Sequence, residues 1–278
     1  MVSKQYTERR AHAGRLARPD RTAFPVPTPD KERPEPMDLH DPFYDLFPRR
    51  SFPSIEPGRT ALLTIDLQYL DAHEDGWIGR IAEAAGQPEI MRERWDNING
   101  ILPNVRRCQD AFREAGEEVI HVRVAYRTAD GRDAGKAFMP TADLEPVPRE
   151  PMDDELLPEV KAMGDEMIFS KTSSSVFNTS NINDVLKRMG ITNLVFTGIV
   201  TEGCVELSAR DAADGGYTVT LVSDACTSST TELHENALVR MTDGGFIASR
   251  STDEIVAELA DPQPSAPYRP ASIPTPNS

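Results

Sequence analysis

Three side chains able to move protons or attack a carbonyl stand at matching places in this chain. Asp66 closes the apolar run "TALLTID", Lys171 closes "EMIFSK", and Cys204 follows "NLVFTGIV" where a strand gives way to a helix. Singly, each has an ordinary explanation. A terminal Asp caps turns, a Lys at a strand end is solvated, and a free Cys fills a small apolar space. Together they fit one chemistry. A helix N-terminus and a nearby ammonium both lower the pKa of a thiol. A carboxylate beside them can take the thiol proton and return it to a leaving amine. The reaction such a set suits is acyl transfer through a thioester.

The elements that must carry these residues alternate. Strands are predicted at 60–66, 118–126, 166–171, 193–200, 217–225 and 246–249. Helices are predicted at 92–116, kinked near Pro103 and stopped by Gly116, and at 178–190, 205–215, 230–245 and 251–259. Continuous apolar strands separated by helices imply a mostly parallel sheet in an α/β, Rossmann-like, three-layer domain with helices on both faces. In such sheets ligands bind at the carboxyl ends of the strands, which is where Asp66, Lys171 and Cys204 all fall. The segments around "YLDAHEDGWIGR" and "RTADGRDAGKAFMPTADL" are expected to be loops lining the pocket.

Composition narrows the partners. With 45 acidic against 30 basic residues the chain carries a net charge of −15, so phosphate backbones and anionic lipid are disfavoured. Cys108, Cys204 and Cys226 show no pairing pattern or metal-ligand spacing, which fits a reducing, cytoplasmic setting. No apolar run is long enough to span a bilayer. No cluster of His and acids with metal-ligand spacing stands near these three residues, and His12, His40, His73, His121 and His234 are expected to serve packing or surface roles, so no metal is expected. The absence of Gly-x-Gly-x-x-Gly after a predicted strand argues against a nucleotide cofactor, and none is expected.

Beyond this alternating body, residues 1–56 read as a Pro-rich, charged arm and 262–278 as a Pro-rich tail, leaving 57–261 as the domain. Within the arm, "DPFYDLFPRRSFP" is too apolar to remain in water and is expected to pack on the body or on another subunit, with Trp77 and the "AFMP" loop as neighbours.

The pieces "TALLTIDLQ", "FSKTSSSVFNTSNINDVLKRMGITNLVFTGIVTEGCVELSARDAADGGYTVTLVSDACTS" and the late helix around His234 resemble the isochorismatase-like cysteine hydrolases. That family includes nicotinamidase, N-carbamoylsarcosine amidase, and ureidoacrylate and biuret amidohydrolases. The resemblance implies a catalytic triad of Asp66, Lys171 and Cys204. It also implies a cis peptide at Ile199–Val200 and an oxyanion hole from the N–H groups of Val200 and Cys204. Gln68, Phe177 and Glu202 are its implied substrate contacts, although Glu202 stands where many relatives carry Asn. The vinyl-ether hydrolases of the fold lack the Cys, so its presence favours C–N hydrolysis. The expected activity is therefore hydrolysis of a small carboxamide or ureido compound by a homodimer or homotetramer. A non-catalytic small-molecule-binding or thiol-sensing protein on the same fold is the alternative.

Overall fold

The computed structural model describes residues 42–46, 53–128, 131–135, 147–243 and 245–262. Most of the expected arm, the "AFMP" loop and the Pro-rich tail lie outside these. Pro42–Leu46 is a short 3-10 turn in which Phe43 and Leu46 are exposed.

Six strands, β1 (Thr60–Ile65), β2 (Glu118–Val124), β3 (Met167–Lys171), β4 (Asn193–Ile199), β5 (Thr218–Thr227) and β6 (Ile247–Arg250), form one sheet. Their order is β3-β2-β1-β4-β5-β6, and every neighbouring pair is parallel. The chain builds outward from β1 through β2 to β3, then returns to lay β4 against the other side of β1. The reversal of winding falls between β1 and β4. A crevice opens at such a point, because the connections leave the two strands in opposite directions.

Buried side chains alternate between two layers along each strand, since successive residues face opposite sides of the sheet. Leu63, Ile65, Ile120, Val122 and Phe196 face α4 (Val176–Thr179), α5 (Ile182–Met189), α6 (Glu206–Asp214) and α7 (Thr231–Thr242). Leu62, Val119, Val195 and Val222 face α3 (Arg92–Ala115) and α8 (Thr252–Ala260). In α3 the buried set Ile98, Ile101, Leu102, Val105, Cys108 and Phe112 recurs at helical spacing. The helix runs unbroken through Pro103, which lies on its exposed side, and ends at Gly116 with φ 74°. The expected interruption at the proline is absent. One missing N–H on the solvated face is outweighed by a buried stripe on the other.

Two short helices, α1 (Tyr69–Ala72) and α2 (Trp77–Ala84), occupy "YLDAHEDGWIGR", which was expected to be loop. They pack closely. A Cβ at Gly76 would lie 1.5 Å from the Tyr69 carbonyl oxygen, and one at Gly79 1.8 Å from that of Glu74. Neither helix is long enough to show a clear hydrophobic period, which is why the pattern hid them. Among the described residues no helix is long and apolar enough to cross a membrane.

The β1–β4 seam depends on Gly198. Its φ is 110°, the register against β5 shifts between Phe196 and Gly198, and a Cβ there would sit 2.1 Å from the Ile65 carbonyl oxygen. Only glycine can hold this contact.

Candidate active site

Asp66 follows the last residue of β1 with φ 54°, the left-handed region that Asp enters more readily than most residues. Its N–H donates to the Val122 carbonyl at 2.9 Å, and its own carbonyl accepts from the Gln68 N–H at 2.9 Å. The chain thus turns sharply off the sheet edge and leaves the carboxylate buried there. Lys171 ends β3, opposite Val124 of β2. With strands spaced about 4.8 Å apart, its side chain must cross β2 to reach β1, and it does. Lys171 Nζ lies 2.7 Å from Asp66 Oδ2, 3.2 Å from Cys204 Sγ and 3.1 Å from the Ser173 carbonyl.

Cys204 sits in an irregular turn, Thr201–Val205, between β4 and α6. Gly203 departs from helical geometry there (φ −118°, ψ −105°), and the Gly203 and Val205 N–H groups both donate to the Val200 carbonyl. The Ile199–Val200 peptide is cis. The thiol is 8 % exposed, whereas Cys108 and Cys226 are buried at 0 % and 2 %. Thr201 Oγ1 lies 2.8 Å from His234 Nδ1, tying this turn to α7.

The charges in this buried trio affect one another. Burial lifts the Asp66 carboxyl above its ordinary range, against the pull of Lys171. Burial also works against the Lys171 ammonium, but Asp66 and the Cys204 sulfur outweigh it and hold the lysine protonated. Burial pushes the Cys204 thiol up, the Asp66 carboxylate adds to this, and Lys171 opposes it. The expectation of a depressed thiol pKa is therefore corrected: burial and the neighbouring carboxylate together favour the protonated thiol at rest. Moving the proton from sulfur to Asp66 leaves the net charge of the trio unchanged. It thus avoids most of the cost of exposing a lone thiolate to a low-dielectric interior.

The other expected residues lie around this centre with different fates. Gln68 is fully buried, and backbone groups take its polar atoms. Nε2 donates to the Val124 and Asp153 carbonyls at 3.0 and 2.7 Å, and Oε1 accepts from the Val124 N–H at 2.5 Å. With both amide hydrogens used, it ties the turn after β1 to β2 and to the Asp153 turn. Phe177 is half-buried with its ring 6.0 Å from that of Tyr217, just before β5 at the opposite end of the sheet. What it supplies is packing. Glu202, two residues before the thiol, is half-buried and accepts a hydrogen bond from Ser228 Oγ.

Three polar residues at the site were not expected from sequence. Asp71 on α1 lies close enough to Asp66, Lys171 and Cys204 for their charges to act on one another, and burial raises its carboxyl to about 7. Arg94, in the first turn of α3, holds the Asp71 main-chain carbonyl through Nε and Nη2 at 3.1 and 2.8 Å and reaches Ser229 Oγ at 2.8 Å. Arg149 stacks over Tyr126 with Cζ 4.5 Å from the ring centroid and pairs with Asp154. Asp71, five residues beyond Asp66, was open to suspicion; Arg149 carried no local signal.

A cleft of about 790 Å³ opens elsewhere, along the outer side of β3. It is lined by Ser170 and Thr172 but by none of the trio. Among the described residues no group of three or more His, Cys, Asp or Glu side chains is placed to hold a metal ion.

The fold and sequence have relatives. The ureidoacrylate amidohydrolase RutB of Agrobacterium fabrum is 28 % identical over 187 residues, covering 62 % of this chain and 77 % of that protein. In fold, the chain is similar to a cysteine hydrolase from Pseudomonas syringae pv. phaseolicola (TM-score 0.61, 21 % identity, 77 % of this chain and 97 % of that one). It is also similar to N-carbamoylsarcosine amidase from Thermoplasma acidophilum (TM-score 0.51, 19 % identity, 70 % and 97 %). The family model described as the isochorismatase domain matches residues 60–253, from the first residue of β1 into α8, and so this chain belongs to the isochorismatase family.

Proposed function

We propose that this protein is a cysteine-dependent amidohydrolase that cleaves the C–N bond of a small carboxamide or ureido compound. The observation that carries this reading is the placement of Lys171 Nζ within 2.7 Å of Asp66 and 3.2 Å of the Cys204 sulfur at the point where the sheet reverses its winding. A family whose curated relatives include ureidoacrylate amidohydrolases supports the bond type.

The chemistry follows from the proton affinities. Asp66 takes the Cys204 proton as the sulfur attacks the carbonyl carbon, and the C=O electron pair moves onto oxygen. Lys171 holds the negative charge that passes between carboxylate and sulfur. The oxyanion is met by the N–H groups of Val200 and Cys204, a contribution of about 3 kcal/mol for each such donor. Collapse breaks the C–N bond, and the departing nitrogen leaves with the proton stored on Asp66. Water then attacks the thioester and gives its proton to Asp66. The acid departs, and the proton returns to sulfur. A carboxyl raised by burial suits this shuttle, because a raised proton affinity helps it take the thiol proton.

Ammonia release from a panel of carboxamides and ureido compounds, wild type against Cys204→Ser, tests this directly. Turnover abolished by the substitution is expected. A folded protein with no turnover of any member, and a Cys204 that only oxidises slowly with peroxide, would favour the thiol-sensing alternative.

A further inference from the structure

Buried polar atoms without partners are uncommon in folded proteins, and each needs a reason. Among the described residues six such atoms occur, and two belong to side chains that flank the trio without belonging to it: Asp71 Oδ1 and Arg149 Nη1. Both side chains are held by one arm and idle at the other. Arg94 Nη2 lies 3.4 Å from Asp71 Oδ2 and 2.8 Å from the Asp71 carbonyl, fixing that carboxylate while Oδ1 stays unpaired. Arg149 uses Nη2 on the Val124 carbonyl and on Asp154, and its plane rests on Tyr126, while Nη1 stays unpaired. Val124 is the residue of β2 that pairs with Lys171, and Asp71 lies on the helix that follows Asp66. The idle acceptor and the idle donor therefore both sit over the carboxyl edge of β1 and β2, beside the reacting groups.

We propose that Asp71 and Arg149 form the recognition clamp for the part of the substrate beyond the scissile bond, with Asp71 Oδ1 accepting an N–H and Arg149 Nη1 donating to an oxygen. The inference rests on the amidohydrolase reading and sharpens it. A plain carboxamide has no second N–H and oxygen to offer. A ureido acid or an acylurea carries both. The two arms are held rigid before any ligand arrives, so little ordering is required on binding, and a site built to pair polar groups rejects compounds that leave them unpaired.

The test separates recognition from turnover by measuring binding to the Cys204→Ala protein by calorimetry at pH 8, with 3-ureidopropanoate and pentanamide as probes. The ureido probe is expected to bind at least tenfold more tightly. Asp71→Asn on that background presents an amide N–H where the acceptor stood, since Arg94 keeps the remaining oxygen, and Arg149→Met removes the donor. Each should cut the preference at least fivefold, whereas a general loss of packing would weaken both probes alike and leave their ratio unchanged. An unchanged ratio in folded variants, or no preference at the outset, overturns the clamp. A ureido probe that binds with this preference but from which wild type releases no ammonia overturns the hydrolase reading and leaves the clamp standing.

Discussion

The two ends of β3 carry the same ingredients, a carboxylate beside a cation, half-buried at the amino end and buried at the carboxyl end, and put them to opposite use. At the amino end Glu166 accepts from Arg113 at 2.7 and 3.0 Å, from the Met163 N–H at 2.8 Å, and faces His121 Nε2 at 3.0 Å. Burial works to raise its carboxyl, but these partners outweigh it and bring it down to about 2. At the carboxyl end Lys171 faces Asp66, whose carboxyl burial pushes up. What separates the two is the number of donors. A saturated carboxylate is locked in one protonation state and braces the fold. An undersupplied one has its proton affinity raised instead of lowered, as the proposed exchange with the neighbouring sulfur requires.

The sharpest way to break this contrast is at the sulfur. Cys204→Ala should lower kcat at least about a thousandfold while thermal melting stays within about 2 °C; a variant that unfolds as readily as it loses activity would place Cys204 with the braces. Asp66→Asn comes next. It should cost between about a hundredfold and ten-thousandfold in kcat, and about 3 kcal/mol of stability, because it leaves the Lys171 charge buried without its counter-charge. Adding Lys171→Met should restore most of that stability in urea unfolding and none of the activity.

At the other end the expectation is reversed. Glu166→Gln should lose at most about 3 kcal/mol at pH 7, from a downward shift of some two and a half units at roughly 1.4 kcal/mol each, reduced by solvent screening of a half-buried group, with kcat changed by less than about threefold. Its folded pKa lies below the ordinary 4.5, so this contribution is complete above about pH 4.5 and fades as pH falls towards 2. Denaturation curves for wild type and variant should therefore converge in acid; a gap that stays constant down to pH 2 would rule out the ionic origin. The smallest effect is in thiol reactivity. At pH 7.5 iodoacetamide should label Cys204 faster than Cys108 or Cys226, since Asp66 stands beside it as a proton acceptor and it is the least buried of the three. Equal labelling in peptide maps would count against Asp66 as that acceptor.

How much of this was legible follows from where the information lies. Every strand and the long helix could be read from apolar runs and their stop signals, because burial on both faces imposes a pattern that local sequence must carry. The trio was legible because all three residues stand at strand ends, so the parallel sheet brings them to one edge. What Gln68 and Phe177 touch was not legible, because residue type says nothing of which atoms the backbone consumes or which ring packs alongside. Asp71 and Arg149 were missed for a related reason: their roles arise from Arg94, Tyr126 and Val124, contacts set by the packing of distant segments and invisible to spacing.

Gly198 has a consequence for tolerance to change. Asp66 and Cys204 are carried on the continuations of adjacent strands, and those strands touch where a Cβ would come within 2.1 Å of the Ile65 oxygen. The spacing between Asp66 and Cys204 is thus gauged by a hydrogen atom. A single methyl group at this position would act as a wedge, prising the seam open by an ångström or more at the one place where both reacting groups hinge. The site can absorb alterations along its rim, where side chains swing, but has almost no mechanical slack at its base.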